Sequence, residues 1–213
     1  MLENTTSQAH AAYRILESMI VTLKLRPGSV VTEKKLIDIV GLGRTPVREA
    51  LQKLSWEGLI EIKPRAGVMV ADIRPEDYLR VMEPRLVLEP LLARSAARYG
   101  DATHRARLAE CAQAMQESAR QQDIEGFLQA DKEFDETLDQ ACDNRYLSKV
   151  LAPLQTHSRR FWFRFGSSQG PDISAGYHVK VMEAIERAEE DLAEQTMREL
   201  MQYLRQVAID LVA

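Results

Sequence analysis

The chain has 213 residues, 45% of them hydrophobic and 28% charged, with 28 Lys+Arg against 32 Asp+Glu for a net charge of −4. That is enough apolar material to bury a sizeable core, as one large domain or two modest ones. Its two cysteines, Cys111 and Cys142, have no CxxC spacing, no apolar run is long enough to span a bilayer and no signal pattern opens the chain, so a disulfide framework, a zinc ribbon and a membrane protein are excluded and a cytoplasmic protein is expected.

Charge is unevenly spread: residues 1–75 carry +3 and the remainder −7. A basic module joined to an acidic one confines affinity for polyanions to one part of the chain. Residues 1–8 are polar and expected to fray. From residue 11 the apolar positions Ala12, Ile15, Leu16, Met19, Ile20 and Leu23 recur at helical spacing, predicting a helix to about residue 24, stopped by Arg26-Pro27-Gly28. A second helix is expected over residues 33–40, with Leu36, Ile37 and Val40 on one side and Gly41-Leu42-Gly43 as its end. A third starts near Thr45-Pro46, with Gly43 or Thr45 as the cap. Its apolar stripe is Val47, Ala50, Leu51 and Leu54, and Arg44, Arg48, Gln52 and Lys53 fall away from that stripe. One face packs while the other carries guanidinium groups, as a helix lying in a DNA major groove requires.

Residues 59–62 and 68–71 alternate or run apolar on either side of Lys63-Pro64-Arg65-Ala66-Gly67, predicting a β-hairpin with a basic tip. After Ile73-Arg74-Pro75 the pattern is helical throughout. A broad stripe containing Leu79, Met82, Leu86, Leu92 and Ala96 covers residues 78–99, where Pro84 and Pro90 are expected to kink or interrupt the helix. Further helices are expected at 102–121, 123–141, 144–166, 173–188 and 190–212. The fold class is therefore mainly α: a winged helix-turn-helix of three helices plus a hairpin over residues 1–73, then an all-α bundle of about six helices over residues 74–213.

The first part resembles the DNA-binding domain of the GntR family of bacterial transcription regulators. Pro27, Gly28, Glu33, Leu36, Gly41, the run RTPVREAL from Arg44 to Leu51, Leu54, Glu57, Gly58, Pro64 and Gly67 carry the likeness. Gly43 stands where that family usually has serine, which removes a hydroxyl from the helix start. The resemblance implies base contacts by Arg44 and Arg48, phosphate contacts by Thr45 and by Lys34 or Lys35, and a wing tip, Arg65 to Gly67, in the minor groove. The second part is similar to the FCD effector domain of the FadR-like branch. Arg85 with Glu89, the stretch ADKEFDETL, Asn144-Arg145-Tyr146-Leu147, and His178 with Ala184-Ile185 carry that likeness.

Many FCD domains bind a divalent metal such as zinc or nickel through an Asp-x3-His pair and two later histidines. The corresponding positions here are Asp131, Asp135, His178 and Leu200, so two of the three histidines are absent. Two carboxylates and one imidazole remain as metal ligands, and Leu200 brings an apolar group instead. Without a metal, carboxylates one helical turn apart repel, and one is expected to protonate or to find a cation. Arg159, Arg160 and Arg164 are candidate sources, and Arg160 and Arg164, four apart, could face the same cavity and hold an acidic effector, or lie on a solvated face.

The resemblance implies a one-component regulator, most often a repressor, of bacterial metabolic genes. A homodimer on double-stranded operator DNA would be modulated by a small-molecule effector, such as an organic acid, in the helical domain. Alternatives are a DNA-binding protein with no effector and a metal-dependent hydrolase using Asp131, Asp135 and His178; an enzyme is not expected, since no nucleophile motif, phosphate loop or HExxH occurs.

Overall fold

The computed structural model describes residues 2–166 and 170–212. The chain divides into two compact units, Met1–Arg74 and Pro75–Ala213.

The first unit begins with α1 (Leu2–Val21), which therefore includes the polar residues expected to fray. Once a turn is anchored by packing, extending a helix needs only one bond per residue fixed, so a polar start can propagate from it. A short strand β1 (Val30–Val31), not foreseen from the pattern, precedes α2 (Glu33–Val40) and α3 (Arg44–Trp56). Thr32 caps α2 by accepting from Lys35 N at 3.3 Å, and Gly41 ends it at φ +70 with its N–H on Ile37 O. The cap of α3 is Gly43, which places Thr45 and Pro46 inside the first turn. Strands β2 (Ile60–Lys63) and β3 (Gly67–Val70) form the wing, and the antiparallel sheet has the order β1-β3-β2.

Packing in this unit follows directly from the stripes. Leu16 and Ile20 of α1, Leu36 of α2, Val47 and Leu54 of α3, and Val68 and Val70 of β3 are all buried in one cluster. Tyr13 adds a polar clasp between α1 and the end of α3. Its hydroxyl donates to Glu57 Oε2 at 2.9 Å while Lys53 Nζ sits 3.7 Å over its ring.

The second unit contains α4 (Pro75–Tyr99), α5 (Ala102–Gln121), α6 (Ile124–Ala141), α7 (Arg145–Phe165), α8 (Asp172–Glu186) and α9 (Glu190–Val212). Helix α4 packs along α9 and also meets α6, α7 and α8, while α5 lies against α6 and α8. It is one helix through Pro84 and Pro90, so of the kink or interruption expected there the interruption does not occur. An interior proline costs roughly 3 kcal/mol, and the buried face comprising Met82, Leu92, Ala93, Ala96 and Ala97 supplies apolar burial large enough to offset it. Side-chain caps define the next three starts: Asp101 and His104 form a capping box on α5, Asp123 caps α6 and Asn144 caps α7. His104 thus has a structural role at the start of α5. Of the two cysteines, Cys111 is buried, with its thiol pushed up to about 11 chiefly by burial, and Cys142 is half-buried at the end of α6.

Gly67 joins the sheet to the wing tip under close constraint. Its φ is +118, and a Cβ there would stand 2.7 Å from the backbone oxygen of Val31. Gly67→Ala is expected to destabilise the first unit by roughly 1–3 kcal/mol, read as a lowered urea midpoint followed by a probe in that unit; an unchanged midpoint would show that the strands can part without loss.

Candidate functional site

Two places concentrate chemistry, one in each unit. In the first unit the N-terminus of α3 and the wing tip form the candidate nucleic-acid interface. Arg44, Thr45 and Arg48 are exposed, as are Lys34 and Lys35 on α2 and Arg65 at the wing tip. The cap residue Gly43 makes no side-chain bond to the first turn of α3. The backbone N–H groups of Arg44 and Thr45 therefore have no side-chain cap from it, and together with the helix dipole they make a site suited to a phosphate oxygen.

Arg48 is held before any ligand arrives. Its Nε is 2.7 Å from Glu33 Oε1, with the arginine side chain still 59% exposed. An exposed pair of this kind adds little stability, but it restricts the guanidinium to a narrower set of directions and leaves both terminal nitrogens for an acceptor pair such as O6 and N7 of guanine. Glu33 was matched only as part of a motif, and its role is visible once α2 and α3 are folded together.

Arg65 adopts φ +64 as the third residue of a turn closed by Ala66 N on Lys63 O at 3.1 Å. Proline second and a left-handed residue third is the type II pattern, a place where glycine would normally stand. The strain, of order 1–2 kcal/mol, is accepted at a position that presents a cation at the apex of the wing.

In the second unit a narrow cleft, partly open to solvent, lies among the helices. Arg85 from α4, Asp131 from α6, Arg159 and Ser158 from α7, and Ser174 and His178 from α8 provide its polar lining, and the remaining wall is apolar, including Trp162 and Leu204. Three of the six candidate effector residues are drawn into one network. Arg159 Nη1 contacts Asp135 Oδ2 and lies 3.4 Å from Asp131 Oδ2, and His178 Nε2 is 3.0 Å from Asp131 Oδ1. The other nitrogen of His178 is 2.8 Å from Ser174 O. Both ring nitrogens therefore face acceptor oxygens. Two aromatic rings, Phe127 and Phe134, meet the imidazole edge-on at 5.9 and 5.8 Å and fix its plane.

The two carboxylates are set apart electrically. Burial disfavours the charge of Asp131, but the hydrogen bond and charge of His178, with Arg159 and Arg85, outweigh it and hold its carboxyl down at about 2. Burial and the Asp131 charge raise Asp135 well above the usual carboxylate range, with Arg159 opposing. Next to this pair, Arg85 Nε donates to Glu89 Oε1 at 2.9 Å, and Gln155 Nε2 reaches the same carboxylate at 3.3 Å.

Arg160, Arg164 and Leu200 are placed elsewhere. Arg160 is buried and outside the lining of the cleft, Arg164 is exposed beside Phe165, and Leu200 is fully buried in the apolar core while Leu204, one turn on, reaches the cleft. Helical phase explains the arginines. Gln155, Ser158, Arg159 and Trp162, at i, i+3, i+4 and i+7, form the buried face of α7 toward α4 and α6, and Arg164 falls off it. That polar stripe was present in the sequence and could have singled out Arg159 from its neighbours.

The donor set does not fit a divalent metal. Asp135 is engaged by a guanidinium, Asp131 by a guanidinium and an imidazole, and Leu200 offers no ligand. Among the described residues no three His, Cys, Asp or Glu side chains are grouped so as to hold a metal ion. A hydrolytic reading of Asp131, Asp135 and His178 loses its basis with the metal it needs.

Comparisons with known proteins agree with the division of chemistry between the units. Residues 8–70 match the model of bacterial regulatory proteins of the gntR family, and residues 80–203 match the FCD domain. An HTH-type transcriptional regulator of Agrobacterium vitis, from the TAR-I ttuE-ttuC' intergenic region, is 30% identical over 139 residues, covering 63% of this chain and 81% of the relative. The HTH-type transcriptional repressor RspR of Escherichia coli is 26% identical over 191 residues, covering 89% and 84% respectively. The solved structure of E. coli McbR/YncC superposes with a TM-score of 0.82 over 97% of this chain and 99% of that one at 17% identity, a likeness of fold. Among the described residues no helix is long and apolar enough to cross a membrane. With a winged helix-turn-helix ahead of a helical domain that encloses a charged cleft, the chain belongs to the GntR family of bacterial transcription regulators, in the branch that carries an FCD effector domain.

Proposed function

We propose that this regulator is a repressor of metabolic genes that acts as a homodimer in the cytoplasm, on the nucleoid when bound, with residues 1–73 reading the operator and residues 74–213 binding an organic acid and dimerising. The presentation of Arg44 and Arg48 at an uncapped helix start carries the DNA reading. Arg44 and Arg48 contact base edges; Lys34, Lys35 and Thr45 hold phosphates; Arg65 and Gly67 bring the wing to the minor groove. A single recognition helix spans too few base pairs for specificity, and two half-sites related by a two-fold axis supply the rest. The effector shifts operator affinity only by the difference between its affinities for the DNA-competent and incompetent arrangements. Asp131 and His178 shape the polar end of its cleft, with Asp135 behind them on Arg159, and the name of the E. coli relative as a repressor supports the sign.

Fluorescence anisotropy with the DNA upstream of the protein's own gene, over a salt series, tests the reading; binding that is weak and independent of sequence at every salt concentration would refute it. Arg48→Ala is expected to reduce specific affinity by roughly 1–3 kcal/mol and to relax preference at one base position, which the same assay with single-base operator variants measures. Arg65→Gly should act differently. Removing the left-handed strain stabilises the first unit by about 1–2 kcal/mol, whereas loss of the cation weakens all DNA sequences alike and lowers the salt slope by about one. Paired denaturation and salt titrations separate those two effects.

A further inference from the structure

The cleft of the helical unit contains a charge arrangement that a metal site would not have. An ion held by Asp131, Asp135 and His178 needs one oxygen from each carboxylate and a ring lone pair directed at one point. Instead, Nη1 of Arg159 bridges the two carboxylates and Nε2 of His178 faces Asp131 Oδ1 at 3.0 Å. A divalent ion among these groups would meet the guanidinium charge within a few ångströms, in surroundings that screen poorly. Arg85 lines the same cleft with its side chain only 6% exposed. Glu89 takes its Nε, yet Nη1 is buried and has no hydrogen-bond partner. A charged group that retains an unused donor in a buried cleft is prepared for an acceptor that comes from outside.

We propose that this cleft binds a small carboxylate without a metal ion: Arg159 takes the place of the ion in compensating Asp131 and Asp135, and Nη1 of Arg85 receives an oxygen of the ligand. The apolar surfaces of Phe127, Trp162 and Leu204 line the same cleft and suit the carbon atoms behind that carboxylate. This rests on the cleft being the effector site, and it departs from the metal-dependent mode that the family resemblance implied.

The test uses the full chain after dialysis against EDTA. Thermal unfolding is followed with sodium acetate, propionate and lactate against sodium chloride at equal ionic strength, and calorimetry is run with zinc and nickel. At least one carboxylate is expected to raise Tm by about 2 °C or more at saturating concentration, equally with and without EDTA, and neither metal should bind stoichiometrically. Arg85→Gln should abolish the shift; should that variant not fold, Arg85→Lys, which keeps the charge opposite Glu89 but deletes the fork, should reduce it at least about tenfold in ligand affinity. Arg159→Gln should gain at least about tenfold in zinc affinity, and if it does not fold the wild-type calorimetry decides the point. Stoichiometric metal in the wild type, a shift that EDTA removes, a shift that survives both Arg85 variants, or no shift with any of the three carboxylates would overturn the proposal. Because no measurement involves DNA, a failed operator assay with these results intact would remove the regulatory reading of the cleft and leave its ligand chemistry standing.

Discussion

Burial of like charges one helical turn apart is the constraint on which the helical unit is built. Asp131 and Asp135 lie on the same face of α6, Asp135 buried and Asp131 half-buried at the cleft. Removing two carboxylates from solvent costs several kcal/mol each before their mutual repulsion is counted. The fold answers with partners delivered from two other helices: the Arg159 guanidinium from α7 bridges the pair, and the His178 ring from α8 meets Asp131. Arg85 and Glu89, one turn apart on α4, form a second buried pair beside it, extended by Gln155. Breaking such a network by deleting one member leaves an uncompensated buried charge, which is far more costly than the net worth of the intact set. The arrangement joins α4, α6, α7 and α8 through polar contacts and leaves a polar cleft where those helices meet.

In the first unit the governing physics is different, because its candidate DNA-contacting charges are exposed. Nothing there needs a buried counterion. What matters is direction: the apolar stripe of α3 packs through Val47, Leu51 and Leu54, and the helix phase then turns Arg44 and Arg48 outward. Glu33 narrows the conformations of Arg48, and the turn geometry at Pro64 and Arg65 holds the wing cation in a conformation that a flexible loop would not maintain. Exposed pairs and strained turns contribute little or negatively to folding, so their persistence is understood through what they present to a polyanion.

Much of this was legible in the residues themselves. The spacing of Val47, Ala50, Leu51 and Leu54 defined the recognition helix, and Gly41 and Pro27-Gly28 marked helix ends by chemistry that is local. At α4 the alternatives of a kink or an interruption at Pro84 and Pro90 were left open, and packing against α9 keeps the helix uninterrupted; at α1 the polar composition hid an earlier helix start. The pattern also missed β1, because two residues have no periodicity of their own and become a strand only when β3 pairs with them. At the cleft, Asp131, Asp135 and His178 were legible as a group, while Arg160 and Arg164 were favoured by their spacing along one helix over Arg159.

The sequence by itself determined the two-part organisation, the helix-turn-helix with its outward arginines, and the absence of two histidines from the expected metal set, since each depends on residue type at fixed spacing along the chain. Only the tertiary structure decided which arginine compensates the aspartates, that Leu200 lies in the core while Leu204 reaches the cleft, and that Arg85 keeps an unused donor. Those outcomes depend on the rotation of whole helices about their axes, set by packing between elements up to a hundred residues apart, which periodicity along a single helix does not encode.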